Sequence, residues 1–196
     1  MTDPDAPPRR TSPRYGEGRG ALLSAAVHVV AERGLRKLTY REVARQAGVA
    51  HGLVAHHFGS GEALLEAALE FSLHNSVTAI SSRPGSGDIE ALLDGLSSMI
   101  DANPYDQAFQ YELMLESRRT PGLTVHVRAI YDAYIEALQR ELSAAGIDPD
   151  PALCHLVYCA ADGLVFHQIT LGNPALMDRS LHHLRALLEL GRHGLR

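Results

Sequence analysis

His51, His56 and His57 stand within seven residues of one another, a density of imidazole that suits either metal ligation or contact with an anion. The spacing disfavours the metal. Neighbours on a helix diverge by about 100°, whereas two ligands to one ion belong three or four residues apart. His56 and His57 are adjacent, as are His182 and His183, and no pair has a cysteine or carboxylate companion at ligand spacing, so no metal and no cofactor is expected. Cys154 and Cys159 are five apart, about 140° around one helix, and read as buried thiols of a reducing compartment. The run Gly16-Glu17-Gly18-Arg19-Gly20 resembles a phosphate loop only superficially, because no strand precedes it and no Gly-Lys-Ser/Thr follows. Serine, histidine and aspartate lack a scaffold to converge them. No catalytic residue is assigned, and an enzyme is not expected.

Anion contact remains, and the segment around the histidines, TYREVARQAGVAHGLVAHHF from Thr39 to Phe58, is suited to it. Thr39 can cap a short helix, with Glu42 three residues on completing a capping box. Ala44 is small where two helices cross closely, and Gly48 falls where a tight turn needs a left-handed residue. Val49 plugs that turn, while Val43, Val54 and Phe58 face inward. Small residue, turn glycine and apolar plug together make the skeleton of a helix-turn-helix, whose second helix keeps an outer face free for a major groove.

The stretch resembles the DNA-binding head of the TetR family of regulators. The resemblance covers residues 19 to about 75, through AERG, TYREVARQAGV, HHF and EALLEAAL; beyond residue 80 it is one of layout only. It implies that Thr39, Tyr40 and Arg41 approach phosphates at the start of the second helix. Ala50, His51, Gly52, Leu53, Ala55, His56 and His57 would lie on or beside the recognition helix. Family members usually carry tyrosine where this chain has Ala55 and lysine where it has Gly61, and both hold the DNA backbone. Arg9, Arg10, Arg14 and Arg19 could replace that anchoring. The implied function is a homodimeric, ligand-responsive regulator, most often a repressor, that binds a palindromic operator in double-stranded DNA and is released by a small-molecule effector. The alternative is a small-molecule binding protein with a vestigial DNA-binding head.

The elements that must position these residues are helical. Proline punctuation at Asn103-Pro104, Thr120-Pro121, Asp148-Pro149 and Asn173-Pro174, with no alternating strand pattern, predicts an all-α fold of about nine helices. Residues 1–18, rich in proline and arginine, read as a flexible basic arm, 19–60 as the DNA-binding domain, and 61–196 as a ligand-binding and dimerisation domain. The net charge of −5 hides an asymmetry: residues 1–58 carry nine Lys/Arg against five Asp/Glu, and the remainder nine against eighteen. A basic head on an acidic body fits a DNA reader with a separate second module. No run approaches the roughly 18 apolar residues of a membrane span, so a cytoplasmic protein without membrane contact is expected.

Two stripes, Leu153, Val157, Ala160, Leu164 and Leu171 on one helix and Met177, Leu181, Leu184 and Leu188 on the next, read as an association surface. Between head and bundle, Tyr105, Phe109, Met114, Tyr131, Tyr134, Tyr158 and Phe166, with Asp162 as a polar point, are candidates to line an apolar cavity for the effector.

Overall fold

The structure, a computed structural model, describes residues 15–80 and 84–194. Among these residues there are nine α-helices, two short 3-10 turns and no strand: α1 (Tyr15–Arg33), α2 (Tyr40–Ala47), α3 (His51–Phe58), α4 (Gly61–Ile80), α5 (Ile89–Ala102), α6 (Pro104–Ser117), α7 (Thr124–Ala144), α8 (Pro151–Leu171) and α9 (Pro174–Gly194). Helix α1 begins inside the expected arm, so Tyr15 to Gly18 are helical. After Pro13 nothing bars a helix there, and glycines weaken one without stopping it. Arg9, Arg10 and Arg14 lie outside the described residues.

Proline punctuation works through capping. Asn103, Asp150 and Asn173 each precede a proline at the first helical position, and their side chains accept from the backbone N–H of Tyr105, Leu153 and Leu176 at 3.2, 2.9 and 3.1 Å. The proline has no N–H to leave unsatisfied, and the Asx oxygen takes one of the orphan donors.

Two apolar cores form. The first joins Val27, Val30, Val43, Val54 and Phe58 of α1–α3 with Leu64, Ala68 and Leu69 of α4, and it also takes Phe109 and Leu113 from α6 and Ile130 from α7. The second joins Leu92, Leu93 and Leu96 of α5 with Tyr111, Leu142, Cys154, Val157, Met177 and Leu181. Helix α4 therefore belongs to both halves, its N-terminal part in the head and its C-terminal part against α5.

That second packing is close. A Cβ placed on Gly95 of α5 would fall on the carbonyl of Ile80, nearer than real Cβ atoms approach backbone. Gly95→Ala must push α4 and α5 apart, and is expected to cost about 1–3 kcal/mol, the usual range for overpacking. Urea denaturation checks this; an unchanged midpoint would mean the two helices part freely.

Candidate nucleic-acid interface and ligand cavity

The helix-turn-helix assembles from local rules. Thr39 is extended (φ −128°, ψ 151°) and its hydroxyl accepts from the Glu42 N–H at 3.2 Å. The other half of the expected capping box is absent, because Arg33 and Arg45 hold the Glu42 carboxylate at 2.8 and 2.9 Å. Charged donors outcompete a backbone amide, and the bond from Arg45 is the chief reason this carboxyl sits below its ordinary pKa. Gly48 closes α2 in the left-handed region (φ 68°, ψ 34°), and the Val49 N–H returns to the Ala44 carbonyl at 2.9 Å. Val43 and Val54 are fully buried, so α2 and α3 are fixed by their inner faces.

The outer faces are turned toward solvent. Thr39, Arg41, Arg45, Gln46, Ala50, His51, Gly52, Leu53 and His56 are exposed, while Ala55 and His57 are half-buried. Tyr40 differs from its expected role: its ring packs on the head core and its hydroxyl is enclosed without a hydrogen-bond partner. At the first position of α2 its ring falls on the apolar side, where burying the aromatic area outweighs keeping the phenol in water. Arg19 stacks its guanidinium on the Phe58 ring, 5.5 Å from the centroid, at the base of α3. Arg45 and Gln46 were not foreseen; one further turn of helix from Arg41 is the signal that could have found them.

In the body, α4, α5, α7 and α8 line a cavity of about 80 Å³ that opens to solvent. Its wall is mostly Val77, Leu92, Leu93, Leu96, Leu138, Val157 and Val165, with Gln107, Tyr134, Tyr158, Asp162, Arg140 and Glu141 as polar groups. Ligand sites typically measure about 300–1,000 Å³, so an occupant of ordinary size must part the leucines. Of the eight residues expected at an effector site, Tyr134, Tyr158 and Asp162 line the cavity. The other five do not. Phe109 is wholly inside the head core, Tyr105 stacks on His28 of α1 at 3.8 Å, and Met114 packs against both cores. Tyr131 and Phe166 are 41% and 45% exposed and back onto Tyr158 and Tyr111 at 5.3 and 5.0 Å. Helical phase decides this, since α6 turns Phe109 to one core and Tyr111 to the other. The stripe on α5 could have been read as lining, had its aliphatic residues been weighed alongside the aromatics.

Two more expectations change. Cys154 is buried, but Cys159 is exposed with its Sγ 3.1 Å from His155 Nδ1. On the last two helices, Val157, Met177, Leu181 and Leu188 are buried within the chain, and the exposed apolar residues are Leu156, Phe166, Leu171, Leu176, Leu187 and Leu190. Helix α8 is also apolar enough by length and composition to cross a membrane, with a mean hydropathy of 1.2 and 22% of that window buried. His155, Asp162, His167, Gln168 and Thr170 break the apolar run without lowering that average further.

Between cavity and head lies a buried polar layer. Gln107 donates to Ser76 and Tyr134 at 2.9 and 2.8 Å; Gln110 donates to Ser72 at 2.8 Å and accepts from Tyr134 at 3.0 Å. Asp106 beside them is 2% exposed, accepts from Asn103 and Asn75 at 2.6 and 3.3 Å through one carboxylate oxygen, and leaves the other without a partner.

A helix-turn-helix head fused to an all-helical body with its own cavity defines the class of protein. Residues 22–68 match the model of bacterial regulatory proteins of the tetR family, and residues 87–190 match the tetracyclin repressor-like C-terminal domain. The chain belongs to the TetR family of transcriptional regulators. It is 35% identical over 109 residues to the transcriptional repressor KstR2 of Rhodococcus jostii, covering 53% of this chain and 52% of that one. It is 31% identical over 85 residues to the transcriptional regulator BetI 1 of Chromohalobacter salexigens, covering 43% and 42%. The chain thus matches about half, or less, of the length of these relatives. Among solved structures, a TetR-family regulator from a Rhodococcus species superposes with TM-score 0.73 at 23% identity, over 90% of this chain and 99% of the other. The multidrug binding protein EbrR, complexed with proflavin, superposes with TM-score 0.59 at 23% identity, over 87% and 99%. These likenesses establish a shared all-α fold.

The polar layer has a measurable signature. Burial raises the Asp106 pKa from 3.8 to about 6, against the lowering effect of the Asn75 bond. The folded chain then holds a proton that the unfolded chain has released, so stability is full below about 3.8 and falls as pH rises through about 6. Asp106→Asn should leave stability unchanged near pH 4 and raise it by on the order of 1–2 kcal/mol at pH 7.5. Denaturation at both pH values tests this; equal effects at the two would remove the charge from the argument.

Proposed function

We propose that this protein is a homodimeric DNA-binding regulator, acting in the cytoplasm as a repressor whose operator affinity is set by a small molecule held in the body. The observation that carries the reading is the coexistence of an exposed recognition-helix face and an apolar cavity at the two ends of one helix, α4. Thr39 and Arg41 then meet phosphates, while His51, Gly52, Leu53 and His56 face base edges. Tyr40 is left out of that set because its hydroxyl is turned inward.

Ligand entry that moves Tyr134 or Gln107 is felt at Ser76 through the hydrogen bonds of the polar layer, and hence along α4. A ligand that binds one arrangement of α4 better than the other changes the head's affinity by that difference, and operator DNA reciprocally changes the ligand's. The exposed leucines of α8 and α9 suit a second copy of the chain better than water or lipid, since Asp162 and two histidines interrupt α8. Two such copies read a palindrome.

The missing tyrosine at Ala55 and lysine at Gly61 favour a second reading, a ligand-binding protein whose head no longer holds DNA. Salt-dependent gel shifts on the DNA upstream of its own gene separate the two. Specific binding is expected, with log K falling against log salt, and Arg41→Ala should reduce the slope by about 1 per protomer. No specific shift at any salt concentration would leave the second reading standing.

The association surface is tested separately. Leu156→Glu combined with Leu187→Glu should sediment as a monomer with helix content unchanged, and a folded double variant that remains dimeric would move the interface elsewhere.

A further inference from the structure

We propose that the body cavity is a site for an organic cation, an apolar skeleton carrying one protonated amine whose charge pairs with Asp162 beside the rings of Tyr134 and Tyr158. The inference rests on the reading of this cavity as the effector site and names the class of its occupant.

Elimination among the polar groups of the wall leads there. The Glu141 carboxylate accepts from the backbone N–H groups of Gly85 and Gly87. Gln107 and the Tyr134 hydroxyl are taken up in the polar layer. Arg140 is exposed to water. Two groups are left underused. Asp162 receives one side-chain donor, the Tyr111 hydroxyl at 2.9 Å on Oδ1, and no cationic side chain among the described residues lies within 4.0 Å of it. Tyr158 is 8% exposed and its hydroxyl is enclosed without a partner.

A carboxylate in an apolar wall without a counterion is costly, and a neutral apolar occupant raises that cost by removing its remaining water. An anionic occupant adds repulsion, offset only by a solvated arginine. A cation removes the penalty and meets the π-faces of two tyrosines, the combination by which aromatic sites hold ammonium groups. The surrounding charge has the same sign: residues 59–196 carry eighteen Asp/Glu against nine Lys/Arg, which concentrates cations near the body. Burial pushes the Asp162 carboxyl above its ordinary pKa and the Tyr111 bond pulls it back, so a bound ammonium acts in the direction that keeps it ionised.

Calorimetric titration of the full chain at pH 7.5 with 2-phenylethylamine, 2-phenylethanol and phenylacetate decides the matter, since the three share a skeleton and differ in charge. The amine should bind at least tenfold tighter than the alcohol, and phenylacetate weakest. Asp162→Asn should lose that advantage while binding the alcohol at least as tightly as wild type does, which also reports an intact cavity, and Asp162→Glu should restore part of it. Ala161→Phe, which fills the cavity, should abolish all three. Alcohol or carboxylate binding as tight as the amine in wild type, but lost in Ala161→Phe, overturns the cation assignment and leaves the cavity reading in place. No binding by any of the three, or binding unaffected by Ala161→Phe, overturns both.

Discussion

The joint between head and body is built on four polar side chains bonded to one another, Gln107 and Gln110 on α6 and Ser72 and Ser76 on α4. They lie between two apolar cores that Met114 and Tyr134 also bridge. Buried amides and hydroxyls are tolerated only when paired, so the register of α4 against α6 is set by hydrogen bonds rather than by interchangeable leucines. An apolar seam could slide by small repacking steps. A seam of directional bonds has few alternative arrangements, and Tyr134 of the cavity wall is bonded to both of its glutamines. Asp106 sharpens the constraint, because its buried carboxylate oxygen has no partner and any shift that admits water there is favourable.

The head illustrates the opposite regime, in which short-range rules decide nearly everything. Thr39, Gly48 and Val54 act within a turn or two of their own positions, through a cap, a left-handed residue and a buried plug. For that reason the two short helices are legible from the residues alone, whereas the outward set on α3 follows from the resemblance, and Ala55 and His57 of that set are half-buried. The capping box failed in one detail for a reason that is not local. Arg33, nine residues back at the end of α1, reaches Glu42 only once the helices are packed. Tyr40 is similar, since whether a ring at the start of α2 faces water or core depends on where α1 and the 3-10 turn Leu35–Lys37 come to lie.

The body was legible in its helix boundaries and not in its faces. Asx-Pro pairs mark helix starts through local hydrogen bonds: α6 and α9 begin at the prolines of Asn103-Pro104 and Asn173-Pro174, and α8 begins at Pro151, one pair beyond Asp148-Pro149. Periodicity, however, marks only that a face is apolar. It does not say whether that face meets the chain's own core, a cavity or a partner. Aromatic residues were the natural candidates for a ligand site, yet Phe109 and Tyr105 serve the joint between head and body, and aliphatic α5 supplies much of the cavity wall.

Helix α8 shows why composition misleads in such a body. It is apolar on more than one side: Cys154, Val157 and Val165 are buried within the chain, while Leu156, Phe166 and Leu171 remain outside. A helix apolar nearly all round belongs in a core, yet the core of this chain covers only part of α8. The one acid of α8, Asp162, lies between these surfaces, bonded to α6 through Tyr111 and open to the cavity. Its position makes α8 a wall of the cavity on one side and an exposed apolar face on another, with its one acid tied to α6 by Tyr111.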